Sequence, residues 1–212
     1  MSQACATSSI ERIRDIPALV HLYRPDTSVL VLERDLMPEI LGDARDRLSR
    51  APAHHVFTVR SADPALADRV AQELGEGPLA QDVLTWTEIL ADLTGAPHVG
   101  IRLARVERAM CPRFHVDRVT VRLVTTYIGE GTEFIDQSDI DRRWLGHETP
   151  DPREDHPDLR RSGSPIHQAR AGDVVLLRGE SWIAGEGKGA VHRSPPASHA
   201  SPRLVLTLDP LG

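Results

Sequence analysis

Aromatic residues, cysteines and long apolar runs are all scarce in this chain. Phe, Trp and Tyr together make up 4% of the 212 residues, and the two cysteines are Cys5 and Cys111. Two cysteines so far apart do not form the disulfide framework of a small secreted domain, so we predict reduced thiols and a cytoplasmic location. No apolar run approaches the roughly 18 residues that span a bilayer, and no secretory leader is apparent. We therefore expect a soluble protein without membrane contact.

A strong excess of one charge is also lacking. The chain has 25 Lys and Arg against 31 Asp and Glu, which gives a net charge of −6. This balance provides no long-range attraction to nucleic acid, so a small molecule or a peptide is the expected substrate class. The chain is 40% hydrophobic and can bury a full core, so we predict a single domain over residues 1–212.

The two halves of the chain differ in hydrophobic pattern. Residues 1–96 are predicted to form a mixed support region with two strands (28–33, 55–59) and three helices (36–48, 64–74, 82–93). Residues 97–212 are predicted to be mainly sheet, with β-branched and leucine-rich runs at 98–106, 119–128, 173–177 and 204–208. These patterns together predict an α+β fold.

Residues 136–170 interrupt this second half. They contain a short helical segment at 138–145 and are otherwise rich in Pro, Asp, Arg and His. Loops of this length are uncommon inside a compact domain and are either functional or disordered. We predict a loop or lid here, and the sequence leaves its role open.

A histidine and an aspartate two residues apart lie in the segment CPRFHVDRVTVRLVTTY, residues 111–127. Side chains two apart on a strand point the same way, so His115 and Asp117 can hold one ion. A second histidine would complete the two-histidine, one-carboxylate set of non-haem Fe(II) sites. Alone the motif is weak, because the chain has ten histidines and repeats the spacing at His156 and Asp158. We interpret that copy as a loop, because Pro157 at its centre disfavours a central strand.

The second histidine is found downstream, in GEGKGAVHRSPPASHASPRLVLTLDP, residues 185–210. His192 follows a glycine-rich connection, and after ten intervening residues Arg203 begins the last apolar strand. This order, His-x-Asp, a distant histidine and then an arginine at a strand start, resembles that of the Fe(II)/2-oxoglutarate-dependent dioxygenases.

That resemblance implies a fold, a set of site residues and a reaction class. The implied core is a double-stranded β-helix, a cupin-like jelly roll, over residues 97–212, with the amino-terminal helices packed on one sheet. His115, Asp117 and His192 would bind Fe(II), and Arg203 would bind the distal carboxylate of 2-oxoglutarate as a bidentate fork. The implied activity is hydroxylation or demethylation of an unknown substrate.

Strand parity adds one further candidate residue. If the strand runs unbroken from His115, Tyr127 shares the metal-facing side and contacts the cosubstrate. In the last strand, parity places Arg203, Val205 and Thr207 on one face and leucines on the other, beneath the helices.

Two alternatives to an oxygenase stay open. The segments CPRFHVDRVTVRLVTTYIGEGTEF, GAVHRSPP and RLVLTLDP also resemble the bacterial domain-of-unknown-function family 1826, which is associated with zinc-handling GTPases. This favours as an alternative a non-catalytic Zn²⁺ protein of metal homeostasis, in which Cys111 supplies a fourth ligand. We nevertheless predict that Cys111 packs, as free cysteines usually do. The other alternative is a sheet-rich interaction module in which the candidate ligands never meet.

Overall fold

The computed structural model describes residues 8–50, 54–182 and 188–212 of the chain. Cys5, for which we predict a reduced thiol, and residues 183–187 of the glycine-rich connection lie outside them. Within the described residues the α-helices are α1 Pro38–Ser49, α2 Leu66–Leu74 and α3 Pro78–Thr94. Two of them begin at a proline. Proline lacks an N–H, and at the first helical position an N–H would have no helical acceptor anyway. None of these helices has the length and apolar character needed to cross a bilayer.

Ten strands are found in the described residues. In chain order they are β1 Ile10–Ile13, β2 Val29–Leu32, β3 His54–Arg60, β4 His98–Val106, β5 Val121–Ile128, β6 Glu133–Ile135, β7 His167–Gln168, β8 Val174–Arg178, β9 Val191–Arg193 and β10 Arg203–Leu211. The predicted strands and helices all overlap observed ones. The short strands β1, β6, β7 and β9, and a 3-10 helix at Ile16–Tyr23, were not predicted.

The larger sheet contains seven of these described strands, in the order β1-β2-β8-β5-β10-β4-β3. All neighbours are antiparallel except β1 and β2. The last strand, β10, lies between β5 and β4, so it is paired along both edges. The β5–β10 register shifts once, since Leu204 pairs with Ile128 and Val205 with Thr126, leaving Tyr127 as the extra residue of a bulge.

The amino-terminal helices pack on one face of this sheet, as predicted. Leu204, Leu206 and Leu208 share a core with apolar residues of α1, α2 and α3. The same core takes alternate residues of β5, namely Val121, Leu123 and Tyr127. The structure is therefore a mixed α+β fold dominated by sheet.

A second, smaller sheet covers the opposite face. Its order in the described residues is β7-β6-β9, and His115 extends it through an isolated antiparallel bridge to His192 in β9. A separate apolar cluster joins Phe134 of β6 to Val124 of β5 and Val205 of β10. His115 thus lies in the layer across from β10, the strand that begins with Arg203.

The long connection between β6 and β7 is built of turns and packs on the outer side of the small sheet. The predicted helical segment 138–145 consists of two 3-10 turns, Gln137–Asp139 and Arg142–Trp144. Ile140 and Leu159 from this loop pack with Phe114 and Val191. Packed residues of this kind are found in an ordered loop rather than a disordered segment.

Candidate metal centre

His115, Asp117 and His192 come together at the inner side of the small sheet. One ligand atom from each lies within 4.8 Å of those of the other two. His115 and His192 are held side by side because each backbone N–H donates to the other's carbonyl at 3.0 Å. The Asp117 carboxylate lies next to both imidazole rings. Its Oδ2 is 3.2 Å from His192 Nε2, and its Oδ1 is 3.6 Å from His115 Nε2.

Both imidazoles are oriented by their Nδ1 atoms. His115 Nδ1 lies 3.0 Å from the carbonyl oxygen of Arg113, and His192 Nδ1 lies 3.0 Å from that of Ala190. A carbonyl oxygen only accepts, so each Nδ1 carries the proton and donates it. The neutral tautomer then leaves the lone pair of each Nε2 directed toward Asp117. Metal-binding histidines are fixed by their second nitrogen in this way.

Asp117 is partly buried beside His115, His192 and Arg122. Burial opposes its ionisation, but His115, His192 and Arg122 outweigh burial and lower the pKa of its carboxyl group well below the usual range. Burial also opposes the charging of His115, but Asp117 and Cys111 together raise the pKa of His115 to about 10. Without a metal, a proton on His115 and the Arg122 guanidinium therefore balance the charge of this carboxylate.

The donor set fits a divalent cation. Asp117 Oδ2 is buried and accepts no well-aligned hydrogen bond from the described residues, although cationic groups lie close by. Two imidazole lone pairs and a carboxylate are all acceptors, and such groups converge favourably only around a proton or a cation. Two histidines and one carboxylate are the ligands of the facial site of non-haem Fe(II).

Arg122 and Asp209 support this carboxylate, and neither was predicted from the sequence to do so. Arg122 Nη1 lies 2.9 Å from Asp117 Oδ2, while its Nε and Nη2 donate to Asp209 at 2.7 Å each. Arg122 and Asp209 are 87 positions apart. No local spacing signals such a pair, because only the pairing of β5 with β10 brings it together.

Arg203 lines the same cavity as the two histidines. The cavity has a volume of about 70 Å³ and is bounded also by Val124, Val205 and other residues of β4, β5 and β10. The Arg203 guanidinium is buried, with Nε donating to the Glu130 carbonyl at 2.6 Å and Nη2 to Thr126 Oγ1 at 3.2 Å. No carboxylate of the described residues lies within ion-pairing distance of it, and burial lowers the pKa of Arg203 to about 10.

A glycine makes room for this arginine. Gly129 has a φ of +89°, and a Cβ there would lie 2.8 Å from Arg203 Cγ. Glycine adopts this backbone conformation without strain and lets the arginine stem lie against the chain. Arg203, Val205 and Thr207 all face the cavity and the alternating leucines face the helices, so the predicted parity of the last strand is confirmed.

The prediction that Tyr127 lies on the metal-facing side of its strand is wrong. Its side chain is fully buried on the helix side of the large sheet, where its hydroxyl donates to Asp82 Oδ2 at 2.7 Å. The prediction assumed one strand running from His115, but His115 belongs to the small sheet and β5 begins only at Val121. Because the chain changes sheets between them, Arg122 and Val124 are the residues of β5 that line the cavity.

Cys111 does not pack as predicted. It is exposed, and it lines the cavity beside His115. The interaction with His115, opposed by partial burial, lowers the pKa of the Cys111 thiol. Its sulfur is not among the three ligand atoms that converge within the described part of the chain.

One protein family covers most of this chain. The model of a protein family of unknown function, DUF1826, matches residues 14–209. The chain belongs to the DUF1826 family. No curated protein matches the sequence of this DUF1826 member.

Solved structures resemble the DUF1826 chain in fold. One is a dioxygenase for auxin oxidation (DAO) in rice, with 13% identity and a TM-score of 0.50, covering 93% of this chain and 78% of that one. Another is TqaL, an Fe(II)/α-ketoglutarate-dependent dioxygenase, with 15% identity and a TM-score of 0.50, covering 92% of this chain and 86% of that one. At these identities the likeness is one of fold.

Proposed function

We propose that this DUF1826 protein is an Fe(II)/2-oxoglutarate-dependent oxygenase that hydroxylates or demethylates a substrate still to be identified. One observation carries the proposal. The ligand atoms of His115, Asp117 and His192 converge at one point, and the buried Arg203 guanidinium faces the same cavity. A cation held by three ligands keeps open positions, and a guanidinium beside them suits a dicarboxylate.

The pattern of strand pairing supports a double-stranded β-helix. The antiparallel pairs are nested, since β4 pairs with β10, the His115 segment with β9, β5 with β8, and β6 with β7. Successive pairs alternate between the large sheet and the small sheet. A long hairpin wound into a helix gives this alternation, and it brings the candidate ligands and Arg203 to one end of the barrel.

Each residue then has a distinct role. His115 Nε2, His192 Nε2 and one Asp117 oxygen would hold Fe(II), which together with 2-oxoglutarate and oxygen supplies the oxidising chemistry. Arg203 would pair with the distal carboxylate of 2-oxoglutarate, assisted by the Thr126 hydroxyl that it already contacts. The apolar walls formed by Val124 and Val205 would exclude water from the cosubstrate.

The zinc alternative explains less of the structure. A structural Zn²⁺ site is closed by four protein ligands, whereas three ligand atoms converge here among the described residues and Cys111 is not one of them. A zinc store also has no use for a buried guanidinium facing the metal cavity. Cys111 lies close enough to His115 to affect its pKa, so the experiment must separate the two functions.

Metal analysis followed by a binding titration separates them. Protein purified without a metal-binding tag is analysed for metal, then loaded anaerobically with Fe(II) and titrated calorimetrically with 2-oxoglutarate. We expect stoichiometric cosubstrate binding and a new visible absorption band. Zinc at full occupancy with no 2-oxoglutarate binding would overturn the oxygenase proposal.

The substitution Arg203→Ala tests the cosubstrate site. Removing one partner of a buried ion pair weakens binding by about 2–5 kcal/mol, so 2-oxoglutarate affinity should fall at least about thirtyfold while Fe(II) affinity changes little. Arg203→Lys, which keeps the charge without the planar fork, should restore part of the loss. Arg102→Ala, at an exposed position of β4, is the matched control. Equal 2-oxoglutarate affinity in Arg203→Ala and in this control would remove Arg203 from the site.

A further inference from the structure

The loop between β6 and β7 is fastened to both candidate ligand segments through one carboxylate. Asp155 Oδ1 accepts a hydrogen bond from the backbone N–H of Phe114 at 2.8 Å. Asp155 Oδ2 pairs with Arg193 Nη1 at 3.1 Å. Phe114 immediately precedes His115, and Arg193 immediately follows His192. Asp155 therefore links the backbone beside His115 to the side chain of the residue that follows His192.

Other contacts make this link rigid. Arg193 also donates to Glu133 Oε2 at 2.6 Å, and its guanidinium carbon lies 4.3 Å above the centre of the Phe114 ring. On the loop side, the ring of His156 stacks in parallel on Trp144 with a centroid distance of 4.0 Å, which fixes the residue next to Asp155. The Asp155 side chain is 16% exposed. Because this side chain is partly shielded from water, its charged hydrogen bonds are stronger than they would be in water.

The separation of the two imidazoles depends on the backbone at these positions. His115 and His192 exchange one pair of backbone hydrogen bonds, and β9 is only three residues long. A strand pair this short has little stiffness of its own, so an external link between its two sides narrows the range of distances between the Nε2 atoms. Groups outside the ligand set that orient ligands commonly change metal affinity by about 10–100-fold when they are removed.

We propose that Asp155 is a positioning residue for the metal centre and that, through it, metal binding and the order of residues 149–163 are coupled. The inference rests on the metal centre of the proposed function, but not on 2-oxoglutarate. Coupling between two events is reciprocal: if loop docking favours metal binding, metal binding favours loop docking by the same factor. The order of this loop then depends on whether the metal centre is occupied.

Metal titration of three loop variants tests the positioning role. With Co(II) alone as the probe, Asp155→Ala should weaken binding by about tenfold or more, because both links are lost. Asp155→Asn keeps an acceptor for the Phe114 N–H and loses the ion pair, so its loss should be smaller. Asp151→Asn is the matched control, since Asp151 pairs with Arg153 inside the loop. The Co(II) absorption spectrum, which depends on ligand geometry, should change in Asp155→Ala and stay constant in the control.

Hydrogen exchange tests the reciprocal effect without any substitution. Adding Co(II) to the unsubstituted protein should slow exchange of backbone amides in residues 149–163, by about the same factor as the loss of affinity in Asp155→Ala. If Asp155→Ala does not fold, Asp155→Asn and this exchange measurement still decide the question. Co(II) binding with unchanged loop exchange and unchanged affinity in the folded variants would overturn the inference alone. Absence of Co(II) binding to the unsubstituted protein would overturn the metal centre and this inference together.

Discussion

Charge alternates along a row of side chains that leads into the cavity. Asp209 holds Arg122 with two hydrogen bonds, and Arg122 in turn contacts Asp117, which lies between His115 and His192. Each buried charge is thereby compensated by a neighbour of opposite sign, which lowers the desolvation penalty of the whole set. Arg203, on the same strand as Asp209, lacks such a neighbour among the described residues, and this difference supports its proposed role in binding a carboxylate ligand.

Tyr127 illustrates a buried polar group with a structural role. Burial and the nearby Asp82 carboxylate raise the pKa of Tyr127 well above its ordinary value, so the hydroxyl stays protonated and donates. Asp82 also accepts two hydrogen bonds from Arg34, at 2.7 and 2.9 Å. The three side chains join β5 to α3 and to the end of β2.

For Tyr127→Phe we predict a loss of stability with unchanged metal binding. Losing a hydrogen bond to a charged acceptor should lower the free energy of unfolding by about 1.5–3 kcal/mol, measured by urea denaturation. Tyr23→Phe is the matched control, because the Tyr23 hydroxyl donates to the Leu93 carbonyl at an exposed position. A drop in Co(II) affinity for Tyr127→Phe would contradict this purely structural role.

Among the elements, β1 and β6 are connected by a single carboxylate. Asp136, just after β6, accepts hydrogen bonds from the backbone N–H groups of Ser9 and Ser138 at 2.9 Å each, and from the Ser8 hydroxyl at 2.5 Å. Burial would raise the pKa of Asp136, but these donors outweigh burial and lower it. A carboxyl group with a lowered pKa stabilises the fold above its unfolded value of 3.8 and loses that effect as the pH falls through the folded value.

Asp136→Asn should therefore be destabilising in a pH-dependent way. We expect a free energy of unfolding about 1–3 kcal/mol lower than that of the unsubstituted protein at pH 7, because the charge-assisted bonds are lost. The gap should narrow as the pH falls below 3.8, where Asp136 itself becomes protonated. Urea denaturation at several pH values measures both quantities, with the exposed Asp158→Asn as control. A gap of constant size down to pH 3 would contradict this account.

Sequence reasoning found the long elements and missed the short ones for a physical reason. Runs such as 98–106 carry β-branched residues with a regular alternation, and this pattern survives in the observed strand. The strands β6, β7 and β9 have two or three residues, too few to show a period. They exist because of pairings such as Glu133 with Arg193, which lie 60 positions apart.

The same distinction applies to the site. His115, Asp117, His192 and Arg203 were marked by residue type and order. The structure brings ligand atoms of the first three together, and Arg203 lines the same cavity as the two histidines. Tyr127 was misassigned, because a change of sheet between residues 117 and 121 leaves no trace in hydrophobic alternation. Arg122 and Asp155 needed coordinates, since their partners come from distant strands and loops.

Taken as one cooperative molecule, the protein should be stabilised by a metal that binds only the folded state. Metal at about 100 times its Kd adds about 2.7 kcal/mol, which for a chain of this size raises Tm by about 5–10 °C. His192→Leu should abolish this rise, as followed by thermal denaturation with and without Co(II). His199→Leu, at an exposed histidine, should retain it. An equal rise in His192→Leu would exclude His192 as a ligand.

The position of β10 affects how this molecule can be made. Residues 203–211 fill the gap between β5 and β4, two strands synthesised much earlier. Until that segment is synthesised, β5 and β4 each have an unpaired edge. In other proteins, unpaired edges pair with strands of other chains and lead to aggregation. During translation the nascent chain thus lacks both its central strand and the guanidinium that β10 carries. The cavity is completed only after residue 211 leaves the ribosome, so a ligand of this cavity can bind only after this segment has been translated.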